Sequence, residues 1–117
     1  MSLSLYIHWP FCLSRCPYCD FNAHTRETIN DHRWQRALLK DIAYWATKTK
    51  GRELKSIYFG GGTPSLMNAE TVFALLQKIM KLWKTSPGIE ISMEANPTSI
   101  ETEKFKLLRD AGINRVS

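Results

Sequence analysis

The stretch Leu3-Ser-Leu-Tyr-Ile-His-Trp9-Pro-Phe-Cys12-Leu-Ser-Arg-Cys16-Pro-Tyr-Cys19 begins the first structural element of this 117-residue chain and contains its strongest functional motif. From Leu3 to Trp9, apolar residues alternate with more polar ones, and this period of two predicts a strand with one apolar face. After Pro10 come the three cysteines of the chain, spaced C-x3-C-x2-C. Thiolates gathered this closely on a loop are typical of an iron–sulfur or zinc site.

The spacing of the cysteines leaves more than one kind of site open. Three thiolates can ligate three irons of a four-iron, four-sulfur cluster and leave the fourth iron open to a substrate or cofactor. Alternatively, Cys12, Cys16 and Cys19 could bind zinc together with His24, or all three could be free thiols. Because structural zinc sites more often use C-x2-C pairs, the C-x3-C spacing favours iron–sulfur.

Strand and helix patterns alternate along the rest of the chain. Helices are predicted at about 30–47, 68–83 and 98–111, and strands at 55–59, at 89–95 and from 113 onward. Ser86-Pro-Gly88 predicts a turn. The order β-α-β-α-β-α-β predicts a parallel α/β fold, either a doubly wound sheet or part of a (β/α) barrel. Two apolar stripes are predicted to be core: Trp34, Leu38, Ile42 and Trp45, and Val72, Leu76, Ile79 and Trp83.

Three features follow the ends of consecutive predicted strands. The cysteine loop follows the first strand, Gly60-Gly-Gly-Thr-Pro64 follows the second, and Glu94 closes the third. Functional residues of parallel α/β folds lie at the carboxyl ends of strands, so we expect all three at one edge of the sheet. Tyr6 and His8 share the polar face of the first strand and are expected to point toward the cysteine loop. Taken alone, the glycine run also fits a flexible turn, and a strand-end glutamate is a common surface residue.

Composition and charge argue against membrane-spanning, secreted and nucleic-acid-binding proteins. The longest apolar runs fall short of the about 18 residues that a membrane span needs, and no secretory signal pattern begins the chain. An odd number of clustered cysteines indicates a reducing compartment, so we expect a cytoplasmic protein. The net charge of +5 is scattered without an RNA-binding motif, and no nucleic-acid partner is expected. Because the chain reaches only a fourth strand, residues 1–117 are expected to be the N-terminal portion of a longer core domain.

These motifs resemble a known superfamily. Cys12-x3-Cys16-Pro-Tyr18-Cys19 matches the C-x3-C-x-aromatic-C signature of the radical S-adenosylmethionine (SAM) superfamily, and the glycine run resembles its glycine motif. The resemblance implies the N-terminal part of a partial TIM barrel, with about three βα units and the start of a fourth strand. Five segments more narrowly resemble the oxygen-independent coproporphyrinogen III oxidase family: Leu5-Tyr-Ile-His-Trp-Pro-Phe-Cys12, Cys16-Pro-Tyr-Cys-Asp-Phe-Asn22, Gly60-Gly-Gly-Thr-Pro-Ser65, Glu94-Ala-Asn-Pro97 and Ala111-Gly-Ile-Asn-Arg115.

The resemblance also implies cofactors and their ligands. A [4Fe-4S] cluster would be bound by Cys12, Cys16 and Cys19, with SAM on the open iron as the source of a 5′-deoxyadenosyl radical. The backbone at Gly61 and Gly62 would suit the amino group of SAM. The SAM contacts implied by similarity are Tyr6, Tyr18, Gly61, Gly62, Thr63 and Glu94, of which Glu94 would hold the polar end of the nucleoside.

Phe21 separates two branches of this family. The oxidases carry a fourth cysteine in a C-x-C after the signature, where this chain has Phe21. The string Cys16-Pro-Tyr-Cys-Asp-Phe-Asn22 instead resembles the heme chaperone branch (HemW type), which binds heme and transfers it to acceptor proteins. We therefore predict heme handling, with conversion of coproporphyrinogen III to protoporphyrinogen IX as the enzymatic alternative and a structural zinc module as a third. The expected partners are heme or porphyrinogen, heme-accepting proteins, an electron donor and, at full length, a second copy.

Overall fold

The computed structural model describes residues 2–9, 11–12, 24–25, 31–62, 64, 67–95 and 102–116. Strands and helices alternate as predicted after residue 30, whereas a short additional pair of parallel strands, β2 and β3, was not predicted. The elements in chain order are β1 (Ser2–Trp9), β2 (Phe11–Cys12), β3 (His24–Thr25), α1 (Asp31–Lys48), β4 (Glu53–Gly61), α2 (Ala69–Leu82), β5 (Lys84–Met93), α3 (Thr102–Ala111) and β6 (Arg115–Val116).

The main sheet has four parallel strands in the order β1-β4-β5-β6. Each strand is therefore added on the same side of the one before it. The helix α1 contacts α2, and α2 contacts α3, so consecutive helices lie in one layer. A doubly wound sheet reverses its direction of growth at a switch point, whereas a (β/α) barrel adds strands sequentially. The four described strands follow the sequential order of a barrel segment and include no switch point.

The core lies between the sheet and this helix layer. Alternate positions of β1 and β4 supply apolar side chains that are almost fully excluded from water, among them Trp9, Ile57 and Phe59. Each large apolar side chain buried in this way stabilises the fold by about 1.5–3 kcal/mol. The helices and β5 complete the core with Ile42, Val72, Leu75, Leu76, Ile79, Ile91, Met93 and Leu108.

The two predicted helix stripes have different outcomes. All four members of the α2 stripe, from Val72 to Trp83, are buried, as predicted. In α1, Ile42 is buried but Trp45 is 54% exposed, so the prediction of Trp45 as a core residue was wrong. The helix α1 lies beside β1, which is the edge of the described sheet, and Trp45 lines a cleft of about 300 Å³ between these two elements. One side of α1 thus extends beyond β1, and Trp45 on that side is not covered by the described sheet.

Two predicted helix ends are confirmed. The Asn68 side chain accepts a hydrogen bond from the Glu70 N–H at 3.0 Å, which caps the N-terminus of α2. After α3, Gly112 has a φ of +132°, and its N–H donates to the Leu108 carbonyl at 3.2 Å. Residues 98–101, where the third helix is predicted to begin, lie outside the described residues. No helix in the described part of the chain is long and apolar enough to cross a membrane.

The prediction of a turn at Ser86-Pro-Gly88 was wrong, because these residues lie within β5. Leu54 pairs with Thr85 and Ser56 pairs with Glu90, so four residues of β5 lie opposite Lys55 alone. The Pro-Gly segment therefore forms a large bulge within β5. Pairing continues on both sides of the bulge, so the direction of β5 and the position of its carboxyl end are preserved.

Candidate functional site

The face of the sheet away from the helices is polar. Its side chains occupy the positions that alternate with the buried ones, and the register sets Tyr6 opposite Tyr58 and Tyr58 opposite Ser92. The Ser56 hydroxyl donates to the Ser4 hydroxyl at 2.9 Å across β1 and β4. This surface, here called the inner face, consists of Ser4, Tyr6 and His8 on β1, Ser56, Tyr58 and Gly60 on β4, Glu90 and Ser92 on β5, and Glu94.

Glu94 connects the carboxyl ends of β4 and β5. It directly follows β5, and its backbone N–H donates to the Phe59 carbonyl at 2.9 Å. One oxygen of its carboxylate, Oε1, accepts from the Gly61 N–H at 3.0 Å. The other oxygen, Oε2, accepts from the Tyr58 hydroxyl at 2.9 Å. The glycine run and Glu94 therefore do meet at one edge of the sheet, as expected from their positions after consecutive strands.

The glycine run also contacts the end of β1. The Gly62 N–H donates to the Trp9 carbonyl at 2.7 Å. Gly61 has a φ of +121°, and a Cβ atom at this position would lie 2.4 Å from the Trp9 oxygen. Only glycine fits there. Because an ammonium group only donates hydrogen bonds, any contact of Gly61 or Gly62 with a ligand amino group has to use their carbonyl oxygens.

Two tyrosine rings lie over Gly60 on the inner face. The rings of Tyr6 and Tyr58 are stacked, with centroids 6.0 Å apart and planes 17° apart. A Cβ atom on Gly60 would lie 2.7 Å from the Tyr6 ring and 2.9 Å from the Tyr58 ring. The Tyr6 hydroxyl is hydrogen-bonded to His8 Nδ1 at 3.1 Å. Partial burial raises the pKa of Tyr6, and the negative charge of Glu94 raises it further.

The structure brings together four of the predicted site residues, Tyr6, Gly61, Gly62 and Glu94, at the carboxyl edge of the sheet. The backbone of Cys12 lies in β2, three residues after the end of β1, and pairs with Thr25. Its neighbour Phe11 pairs with His24, the residue of the zinc alternative. The other predicted ligands, Cys16, Tyr18, Cys19 and Thr63, lie outside the described residues.

Sequence reasoning did not single out Tyr58. The signal was present, because Tyr58 lies between the apolar residues Ile57 and Phe59 and therefore faces away from the helices. Its partner Glu94 is 36 residues away in the chain, so only the register of β4 and β5 shows that the two side chains meet.

Comparisons with known proteins identify relatives of this chain. The chain is 45% identical over 120 residues to the heme chaperone HemW of Haemophilus influenzae, a match that covers 98% of this chain and 31% of that protein. It is 41% identical to the heme chaperone HemW of Escherichia coli, with the same two coverages. The mitochondrial radical S-adenosyl methionine domain-containing protein 1 of Bos taurus is 35% identical over 97% of this chain and 26% of its own length. The chain thus spans about a third or less of these relatives.

A solved structure shows the same fold. The radical SAM enzyme coproporphyrinogen III oxidase (HemN) from Escherichia coli superimposes with a TM-score of 0.84 at 32% identity, covering 97% of this chain and 26% of that one. The described sheet therefore corresponds to part of a radical SAM barrel. In addition, residues 6–117 match the sequence profile of the radical SAM superfamily. Because this match extends over nearly the whole chain, the protein belongs to the radical SAM superfamily.

Proposed function

We propose that this chain forms one wall of a site for a [4Fe-4S] cluster and SAM. Cys12, Cys16 and Cys19 would ligate the cluster, and Tyr6, Tyr18, Gly61, Gly62, Thr63 and Glu94 would contact SAM. The single observation that carries this proposal is the contact of Glu94 with the glycine run, directly beside the end of the strand that leads to Cys12. The glycine run and Glu94 therefore meet beside the end of β1, the strand that precedes the cysteine loop.

The described residues fit such a ligand chemically. Each carboxylate oxygen of Glu94 accepts one hydrogen bond from the protein and has a further lone pair for a hydroxyl group of the ligand. The carbonyl oxygens of Gly61 and Gly62 can accept from the ammonium group of an amino acid. In the sequence, the three cysteines supply thiolates, which suit iron. Tyr6 is 56% exposed on the same face. When bound, the cluster and SAM supply radical chemistry that electron transfer initiates.

For the protein at its full encoded length, we propose heme binding and transfer of heme to acceptor proteins. Two relatives at 41–45% identity are named heme chaperones. Phe21 stands where the coproporphyrinogen III oxidases, which this chain resembles, have a fourth cysteine. The chain aligns with 31% of these relatives, so most of a heme site would be formed by sequence outside this alignment. An electron donor, a homodimer and a cytoplasmic location stay predictions, as does the assignment of residues 1–117 to the N-terminal portion of the core domain.

Oxidation of coproporphyrinogen is the second candidate function. It is supported by the likeness to the Escherichia coli coproporphyrinogen III oxidase, which is 32% identical over nearly the whole of this chain. The two functions share the cluster and SAM and differ in what happens to the porphyrin ring. A chaperone returns heme unchanged, whereas the oxidase decarboxylates its substrate.

The metal content tests the shared part of the proposal. After anaerobic purification of the protein at full encoded length, we expect iron and sulfide in nearly equal amounts and a broad visible absorbance. Cys16→Ala should abolish that absorbance because one thiolate ligand is lost. Ser14→Ala, a change in the same loop that removes no thiolate, is the matched control and should retain it. Zinc without iron or sulfide would contradict the proposal and support the structural zinc module.

Anaerobic assays with two substrates separate the candidate functions. The reconstituted protein is incubated with SAM, a reductant and coproporphyrinogen III, and separately with heme followed by a heme-free acceptor protein. The chaperone proposal predicts heme transfer and no decarboxylated porphyrin. Sustained turnover of coproporphyrinogen would instead establish the oxidase, and a Cys16→Ala sample would show whether that turnover depends on the cluster.

A further inference from the structure

Both oxygens of the Glu94 carboxylate have a hydrogen-bond donor within the protein. The backbone N–H of Gly61 lies 3.0 Å from Oε1, and the hydroxyl of Tyr58 lies 2.9 Å from Oε2. With the Gly61 contact alone, the carboxylate could still turn about its last torsion, which is broad and twofold for a glutamate. The second donor, on the other oxygen, fixes the plane of the carboxylate and hence the directions of its remaining lone pairs.

Tyr58 is itself held in place on the inner face. It is paired in register with Tyr6 on one side and Ser92 on the other, in the centre of three adjacent strands. Its ring stacks on the Tyr6 ring at 6.0 Å. The absence of a side chain at Gly60 leaves room for both rings. The direction of the Tyr58 hydroxyl is therefore set by the sheet and by ring packing.

We propose that Tyr58 is a positioning residue for SAM, which acts by holding the Glu94 carboxylate in its ligand-binding orientation. This inference rests on the proposed function, in which Glu94 contacts the polar end of the nucleoside. If the ligand has to order a flexible acidic side chain when it binds, the lost side-chain entropy lowers its affinity. Here, the Tyr58 hydroxyl orders Glu94 before the ligand arrives. Tyr58 also connects Tyr6, on β1, with Glu94, which directly follows β5, and both are proposed SAM contacts.

A double-mutant cycle tests this role with the dissociation constant of SAM as the readout. The protein is reconstituted anaerobically at its full encoded length, and SAM binding is measured by equilibrium dialysis without turnover. Tyr58→Phe keeps the stacked ring and removes the hydroxyl, so we expect affinity to fall by about fivefold to tenfold, the equivalent of one typical hydrogen bond. Glu94→Ala should weaken binding more. In the Glu94→Ala background, Tyr58→Phe should have almost no further effect.

Two controls keep the result specific. Tyr44→Phe removes the hydroxyl of an exposed tyrosine in α1 and should leave the affinity for SAM unchanged. Iron and sulfide content should be equal in wild type, Tyr58→Phe and Tyr44→Phe, because a fold defect would lower it. If Glu94→Ala does not take up a cluster, Glu94→Gln takes its place, and the Tyr58→Phe effect should again be smaller than in the wild type.

The outcomes distinguish this inference from the proposed function. A wild-type protein that takes up the cluster but does not bind SAM would overturn the proposed function itself. If the wild type binds SAM and Tyr58→Phe binds it equally well, the positioning role alone is overturned. The positioning role is also overturned if the Tyr58→Phe effect adds in full to that of Glu94→Ala, because the hydroxyl would then act independently of the carboxylate.

Discussion

The two faces of the main sheet are built from the same strands but serve different purposes. On the helix-covered face, alternate residues such as Trp9, Ile57 and Phe59 are almost completely excluded from water. On the inner face, the residues between them are polar, and Tyr6 is 56% exposed. Stability therefore depends mainly on one face and the proposed chemistry on the other. Substitutions on the two faces should separate unfolding from loss of ligand binding.

The largest expected effect lies on the helix-covered face. Phe59 is fully buried, and Phe59→Ala removes its ring from the core, so we expect the free energy of unfolding to fall by about 3–5 kcal/mol. Phe73→Ala, which truncates a phenylalanine of α2 that is 49% exposed, is the matched control and should cost less than about 1 kcal/mol. Urea unfolding followed by circular dichroism measures both. Similar losses for the two variants would contradict the assignment of this face as the core.

A smaller effect is expected where the two faces meet, at Gly61. An alanine there would have to adopt a φ near +121°, with its Cβ atom 2.4 Å from the Trp9 carbonyl oxygen. We expect Gly61→Ala to reduce the free energy of unfolding by about 3 kcal/mol, the upper end of the range for backbone strain. It should also weaken SAM binding, because its N–H donates to Glu94.

Gly88→Ala is the control for Gly61→Ala. Gly88 also has a positive φ, +68°, but a Cβ atom there would meet nothing within 4 Å. We expect a loss of about 1 kcal/mol from the backbone conformation alone and no change in SAM binding. Equal effects of the two substitutions in the urea experiment would show that the contact of Gly61 with the end of β1 contributes little.

Patterns that backbone geometry dictates could be predicted from the sequence. The period of two identified both faces of β1, and the caps at Asn68 and Gly112 depend on local chemistry that short segments contain. Because parallel strands place their carboxyl ends at one edge, the meeting of the glycine run with Glu94 could also be predicted.

Features that depend on distant residues could not be predicted in the same way. Pro87 and Gly88 indicate a turn, yet β5 keeps its pairing with β4 on both sides of them, which only the partner strand reveals. The apolar stripe of α1 identifies the inner side of that helix but not where the sheet beneath it ends, and so Trp45 was misassigned. The contact between Tyr58 and Glu94 requires the register of two strands, which no local pattern contains.

The smallest expected effect is a pH dependence on the inner face. The pKa of Tyr6 is raised above its ordinary value of 10.0, first by partial burial and second by the charge of Glu94. The folded protein therefore binds this proton more tightly than the unfolded chain. The resulting stabilisation is fully present below pH 10.0 and is lost as the pH rises through the raised pKa. Tyr6→Phe should make stability fall less steeply in this alkaline range.

Titration of the near-ultraviolet absorbance of tyrosinate checks the cause of this shift. The difference between wild type and Tyr6→Phe gives the titration curve of Tyr6 in the folded protein. Glu94→Gln should move this curve only part of the way back toward pH 10.0, because burial, the larger cause, remains. A complete return would make the Glu94 charge the dominant cause, and an unchanged curve would show that the charge does not reach Tyr6. The first result would reverse the order of the two causes, and the second would remove the Glu94 charge as a cause of the raised pKa.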